Sequence, residues 1–196
     1  ASASSSVSID VRICQYESSL EIKGRSPVRI AASAWGEYFV STNDRVVIVR
    51  SDGVQSGEIA NLSEALAVAV SDSGEVFVAE AGTGGIKCFD LNGTLVRIIA
   101  PEGSCTFPSD MCLSRNGDLY VVDSKQHCVH IFSSGGGLAG KFGIYGVSTA
   151  QFDFPTGIAC DPGTGNILVA DQNNRRIQVF DTTGAFLYQF GNGGSS

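Results

Sequence analysis

Short apolar runs separated by glycine-bearing polar turns fill most of the chain. The clearest stretch is FDFPTGIACDPGTGNILVADQNNRRIQVFDTTGAFLYQFG, residues 152–191. It holds four runs, TGIAC, NILVA, RIQVF and AFLYQF. The turn DPGTG separates the first two runs and DTTG the last two. Runs this short, bounded by such turns, predict four antiparallel strands joined by hairpins. Apolar residues alternate in the third run (Ile177, Val179), as a half-covered sheet requires.

The pattern recurs upstream. Residues 106–143 give FPSDMCL, DLYVVD, CVHIF and GLAGKFG; 64–100 give EALAVAV, EVFVAE, GIKCFD and TLVRIIA; 27–59 give PVRIAAS, EYFVS, RVVIVR and VQSGEI. A glycine closes the first turn of each unit at Gly36, Gly74, Gly117 and Gly165, spaced 38, 43 and 48 residues apart. Repeated four-stranded units of about 40 residues predict an all-β protein, a β-propeller of four-stranded antiparallel blades. One such sheet has two apolar faces and covers them by stacking on its neighbours. No apolar stripe of helical period competes with this reading. The expected layout is a linker at 1–8, the propeller at 9–191 and a tail at 192–196.

At residues 153–191 the strings FPTGIACD, GNILVADQNNRRIQVFD and GAFLYQFG resemble the NHL repeat. Asp171, Asn174 and Arg176 occupy its Asp, Asn and Arg positions. Earlier units diverge. Asp123 keeps the acid, but Gln126 and Cys128 replace Asn and Arg. Glu80 replaces the Asp of the second unit, and the first keeps Asn43 and Arg45. Residues 10–24, DVRICQYESSLEIKG, resemble the last two strands of a further repeat. The resemblance implies six blades, or occasionally five. Four complete repeats plus two N-terminal strands therefore imply a fragment or an atypical ring, whose bare blade faces would favour pairing with another copy.

Composition narrows the function. Thirteen basic against twenty acidic residues give a net charge of −7, which offers phosphates no general attraction. The longest apolar run, Ala65 to Val70, is far short of a membrane span. The opening ASASSSVS lacks the regions of a signal peptide. The six cysteines, Cys14, Cys88, Cys105, Cys112, Cys128 and Cys160, are irregularly spaced with no CxxC pair. They read as reduced thiols in a cytoplasmic protein.

No GxSxG, HExxH or P-loop is present, so no catalytic residue and no enzyme activity is expected. His127 and His130 are the only histidines, and with no Cys pair no metal site and no cofactor are expected. In NHL-type propellers the turns between second and third strands share a face with the inter-blade loops. The residues placed there as a partner- or RNA-binding set are Arg25, Arg45, Lys87, Phe107, Lys125, His127, Phe154, Arg175 and Arg176. Cations suit phosphate or carboxylate, and aromatics suit stacking. Against that, Asp171, Asn174 and Arg176 recur as turn chemistry. Arg175, Lys125 and His127, which the repeat does not demand, are the sharper candidates. Trp35 reads as the cover of a blade end, with an exposed anchor for a partner as the alternative.

The resemblance extends to C-terminal domains of tripartite-motif proteins. It implies a protein-interaction or substrate-recruiting module of a ubiquitin ligase whose RING would lie outside this chain. A single-stranded RNA-binding role ranks second. A metal-dependent lyase or hydrolase ranks third. DNA and membrane partners are not expected; self-association is.

Overall fold

The computed structural model describes residues 7–13, 16–22 and 27–191. Among them the only regular elements are strands. At the N-terminus β1 (Val7–Ile13) and β2 (Tyr16–Ile22) form an antiparallel hairpin with Val7 opposite Ile22. The first blade is β3 (Arg29–Ala32), β4 (Tyr38–Ser41), β5 (Arg45–Val49) and β6 (Gln55–Ala60). The second is β7 (Ala65–Val70), β8 (Val76–Glu80), β9 (Gly85–Phe89) and β10 (Leu95–Ala100). The third is β11 (Pro108–Leu113), β12 (Leu119–Asp123), β13 (Cys128–Phe132) and β14 (Leu138–Phe142). After a short parallel pair, β15 (Ile144–Tyr145) with β16 (Gln151–Phe152), the fourth blade runs β17 (Pro155–Cys160), β18 (Ile167–Asp171), β19 (Arg176–Phe180) and β20 (Phe186–Phe190). Each blade is a four-stranded antiparallel meander in chain order.

The repeat read from the turns is therefore the blade. Gly36, Gly74, Gly117 and Gly165 all adopt left-handed backbone, with φ between 81° and 89°. This conformation closes the turn between first and second strands, and side chains with a Cβ avoid it.

The blades stack in sequence through their innermost strands, β3 against β7, β7 against β11, and β11 against β17. Alternate side chains fill each junction. Phe39, Val46 and Ile48 of the first blade meet Val68, Val76 and Val78 of the second. Phe77, Ala79 and Ile86 meet Met111, Leu119 and Val121. Tyr120, Val122, Val129 and Ile131 meet Ile158, Ile167, Val169 and Phe180. Burying each large apolar side chain stabilises the fold by about 2 kcal/mol before chain entropy is counted. The same alternation turns Leu168, Ala170, Ile177, Val179, Tyr188 and Phe190 to the far side of the fourth blade. Val179 there is buried, Leu168, Ala170 and Ile177 are half-buried, and the outer-strand Tyr188 and Phe190 are 54% and 51% exposed. These positions match the third-blade residues that meet the fourth, so this face is built to receive a further layer.

In all four blades the pairing of third and fourth strands contains a register shift, at Ile48/Val49, Leu95/Arg97, Ile131/Phe132 and Val179/Phe180. Trp35 is half-exposed; its Nε1–H donates to Glu37 Oε2 at 2.9 Å, and its ring lies beside the Gly74 turn of the next blade.

The cysteine reading is corrected at one pair. Cys112 on β11 and Cys160 on β17 are disulfide-bonded across neighbouring blades, with Cα atoms 5.8 Å apart. Their separation of 48 residues carries no signal in the sequence, because blade stacking alone brings the two strands together. Cys88, Cys105 and Cys128 are free and buried; Cys14 lies outside the described residues.

Candidate binding face

Each turn between second and third strands is tied by backbone hydrogen bonds to an inter-blade segment. Leu62 N–H donates to Asp44 O, Ala81 N–H to Glu64 O, Gly103 N–H to Thr83 O, Ser124 N–H to Phe107 O, and Asn173 N–H to Asp153 O. These turns and connections therefore form one continuous face, as the sequence predicts.

The predicted residues divide there into two groups. Arg45, Lys87 and Arg176 are consumed by structure. Arg45 pairs with Glu58 at 2.7 Å. Lys87 pairs with Glu80, whose side chain is almost wholly buried. Arg176 Nε donates to the buried Asp171 carboxylate at 2.7 Å, and its Nη2 donates to the carbonyls of Ser148 and Gln151. Asn174 donates to both oxygens of Asp171. The NHL triad is thus a packed ion-pair knot, matching its structural reading.

Phe107, Lys125, His127, Phe154 and Arg175 stay at the surface. Lys125 is exposed, with its ammonium 5.1 Å from the centre of the Phe107 ring. His127 Nδ1 accepts the Phe154 N–H at 3.0 Å. Arg175 is exposed, and its guanidinium has no hydrogen bond or ion pair among the described residues. Arg25 lies outside the described residues. His127, Phe154 and Arg175 all hold left-handed backbone, with φ of 53°, 52° and 53°. His127 and Arg175 share this conformation with Gly84, the equivalent last turn residue of the second blade, and Phe154 shares it with Glu64, so the geometry of the repeat sets it.

Sequence reasoning missed one contributor. The connection from Gly143 to Phe154 exposes Ile144, Tyr145 and Val147 at 63%, 68% and 74%. Tyr145 packs edge-on against His127, with ring centroids 4.9 Å apart. The only signal was the 48-residue spacing from Gly117 to Gly165, ten longer than the first.

The central hollow differs in character. A cavity of about 600 Å³ is lined by the inner strands, including Val28, Arg29, Ala69, Asp110, Met111 and Ile158. Arg29 lies 3.6 Å from Asp110 of the third blade, and its Nη2 donates to Thr156 O of the fourth at 3.2 Å. Asp110 also accepts the Ile158 N–H at 3.0 Å. Burial raises the Asp110 carboxyl above its ordinary range, opposed by the Ile158 hydrogen bond and by Arg29. Neither histidine lines the hollow.

Below the binding face, between the second and third blades, ligand atoms of Cys105, Asp123 and His130 lie within 4.8 Å of one another, all buried. Counting histidines gave no hint of this. His127 and His130 do diverge, one to the rim and one inward, but Cys105 arrives from a loop distant in sequence. Burial pushes the Cys105 thiol up to about 12 and that of Cys128 up to about 11.

Stacked four-stranded antiparallel meanders with their loops gathered on one face define a β-propeller, here an arc of four blades and an N-terminal hairpin. The chain carries NHL repeats: residues 106–132 and 152–180 match that family. It is 56% identical over 49 residues to the B-box type zinc finger protein ncl-1 of Caenorhabditis elegans and 51% identical over 51 residues to the protein brain tumor of Drosophila melanogaster. These matches cover 25% and 26% of this chain but only 6% and 5% of those proteins. In fold it is similar to a catalytically inactive virginiamycin B lyase from Staphylococcus aureus solved with quinupristin, with TM-score 0.73, 16% identity, and coverage of 91% of this chain and 61% of that one.

Proposed function

We propose that this chain is a non-catalytic binding propeller, recruiting a protein partner for a ubiquitin ligase of tripartite-motif type. The observation that carries the reading is the division of labour on the loop face. Arg45, Lys87 and Arg176 neutralise the fold's own acids. Lys125, His127, Tyr145 and Arg175 form a cationic and aromatic rim that the repeat does not need. Rigid sheets beneath variable loops are a common design for recognition. A relative named as a B-box type zinc finger protein fits a parent protein of tripartite-motif type.

A single-stranded RNA ligand is the second reading, favoured by exposed Tyr145 and unpaired Arg175. It ranks lower because Phe107 already carries Lys125 on its ring and the chain is acidic. A lyase reading ranks third. The described lining of the hollow offers one carboxylate, Asp110, and Arg29 engages it.

The cytoplasmic setting is part of the proposal. The Cys112–Cys160 bond weighs against it, since such bonds persist in oxidising compartments. The far face of the fourth blade suits another copy or further blades, which sedimentation of the purified chain tests. The decisive experiment is affinity capture with wild type and a Lys125→Glu/Arg175→Glu variant. The reading requires a specific protein lost from the variant. Salt-sensitive retention of a random RNA pool, also lost from the variant, would replace it with the RNA reading.

A further inference from the structure

Three blades bury a carboxylate at the end of the second strand: Glu80, Asp123 and Asp171, exposed by 1%, 0% and 0%. Each accepts backbone N–H groups from the preceding connection: Ser63 to Glu80 at 2.8 Å, Thr106 and Phe107 to Asp123 at 2.5 and 3.1 Å, and Asp153 to Asp171 at 2.8 Å. An unpaired carboxylate in that position is costly. The second blade supplies Lys87 and the fourth supplies Arg176, with Gln178 donating beside it at 3.1 Å. In the third blade the register positions of Arg176 and Gln178 hold Cys128 and His130. Asp123 there has no lysine or arginine ion pair among the described residues; the Gln126 N–H donates to it at 3.0 Å, and His130 Nε2 lies 3.9 Å away.

We propose that Cys105, Cys128, His130 and Asp123 form a structural zinc site that supplies the missing cation between the second and third blades. Cys128 Sγ lies 3.5 Å from His130 Nε2, and Cys105, His130 and Asp123 converge within 4.8 Å. Metal–ligand bonds of about 2.0–2.3 Å place tetrahedral ligands about 3.3–3.8 Å apart. A contraction of about 1 Å draws Cys105, His130 and Asp123 onto one ion, and Cys128, beside His130, turns further inward to complete the shell. Two thiolates with an imidazole select zinc over the hard cations magnesium and calcium. Thiolates, carboxylate and Zn²⁺ sum to one negative charge, and Lys141, the cross-strand partner of His130, lies next to it. Four protein ligands leave no open position, so the site fastens two blades and performs no chemistry. Loading releases the two thiol protons.

The test uses the whole chain equilibrated with excess Zn²⁺, then freed of loose metal and assayed by elemental analysis. One zinc per chain is expected, with a higher unfolding temperature. Co²⁺ substitution should give tetrahedral d–d bands and a thiolate charge-transfer band. Cys105→Ser should abolish both. The pair Cys128→Arg/His130→Gln rebuilds the arrangement of the fourth blade, so it should fold, keep wild-type stability in metal-free buffer and bind no zinc. Absence of stoichiometric zinc in wild type, a cobalt spectrum lacking the thiolate band, or undiminished binding by the pair variant would each overturn the proposal.

Discussion

The Nδ1 atom of His127, on the turn of the third blade, accepts the backbone N–H of Phe154 in the connection to the fourth, at 3.0 Å. Two residues of the candidate binding set are thereby locked together, and Tyr145 closes over the imidazole. His127→Ala leaves that N–H without its acceptor. Stability should fall by about 1–2 kcal/mol in denaturant titrations, and the Phe154 amide should exchange faster.

Arg175 and Arg176 are adjacent and should behave oppositely. Arg176→Ala strands the buried Asp171 carboxylate and should cost about 3 kcal/mol in equilibrium unfolding. Arg175→Gly removes a side chain with no partner from a φ of 53° and should raise stability by about 1 kcal/mol. Partner capture should weaken in this second variant despite its firmer fold.

The disulfide closes a 48-residue segment of chain. Chain-entropy arguments assign such a loop about 4 kcal/mol. Cys112→Ser/Cys160→Ser should lose much of that in thermal unfolding of oxidised protein. Adding reductant should then bring wild type close to the variant.

Arg97 binds Glu75 within the second blade and donates to Ser134 O of the third at 3.0 Å. The hydrogen bond from Arg97 holds the Glu75 carboxyl below its ordinary value of 4.5, against partial desolvation. A depressed acid contributes stability above its unfolded value, and loses it as pH falls from there through the folded value. Acid unfolding curves should therefore retain less pH dependence below 4.5 in Arg97→Met than in wild type.

The sequence made the blades legible because their signals are local. Alternation set the strand faces, and Gly36, Gly74, Gly117 and Gly165 marked the turns. Asp171 and Arg176 were recognisable because their contact spans one hairpin. What escaped notice depends on packing between blades. Cys112 meets Cys160, and Cys105 meets Asp123 and His130, only after separate sheets stack. Tyr145 was missed for a different reason, since its short parallel ladder with Phe152 has neither a hairpin turn nor an alternating run. Lys87 was placed on the surface because a lone lysine in an alternating strand gives no notice of the buried Glu80 it neutralises.

The register slips shared by all four outer strands have a consequence for solubility. A slipped outer strand twists and misaligns its free amides and carbonyls, so the circumference has no straight ladder onto which another sheet could zip. The outer strands of the four blades are thereby guarded against amyloid-like growth.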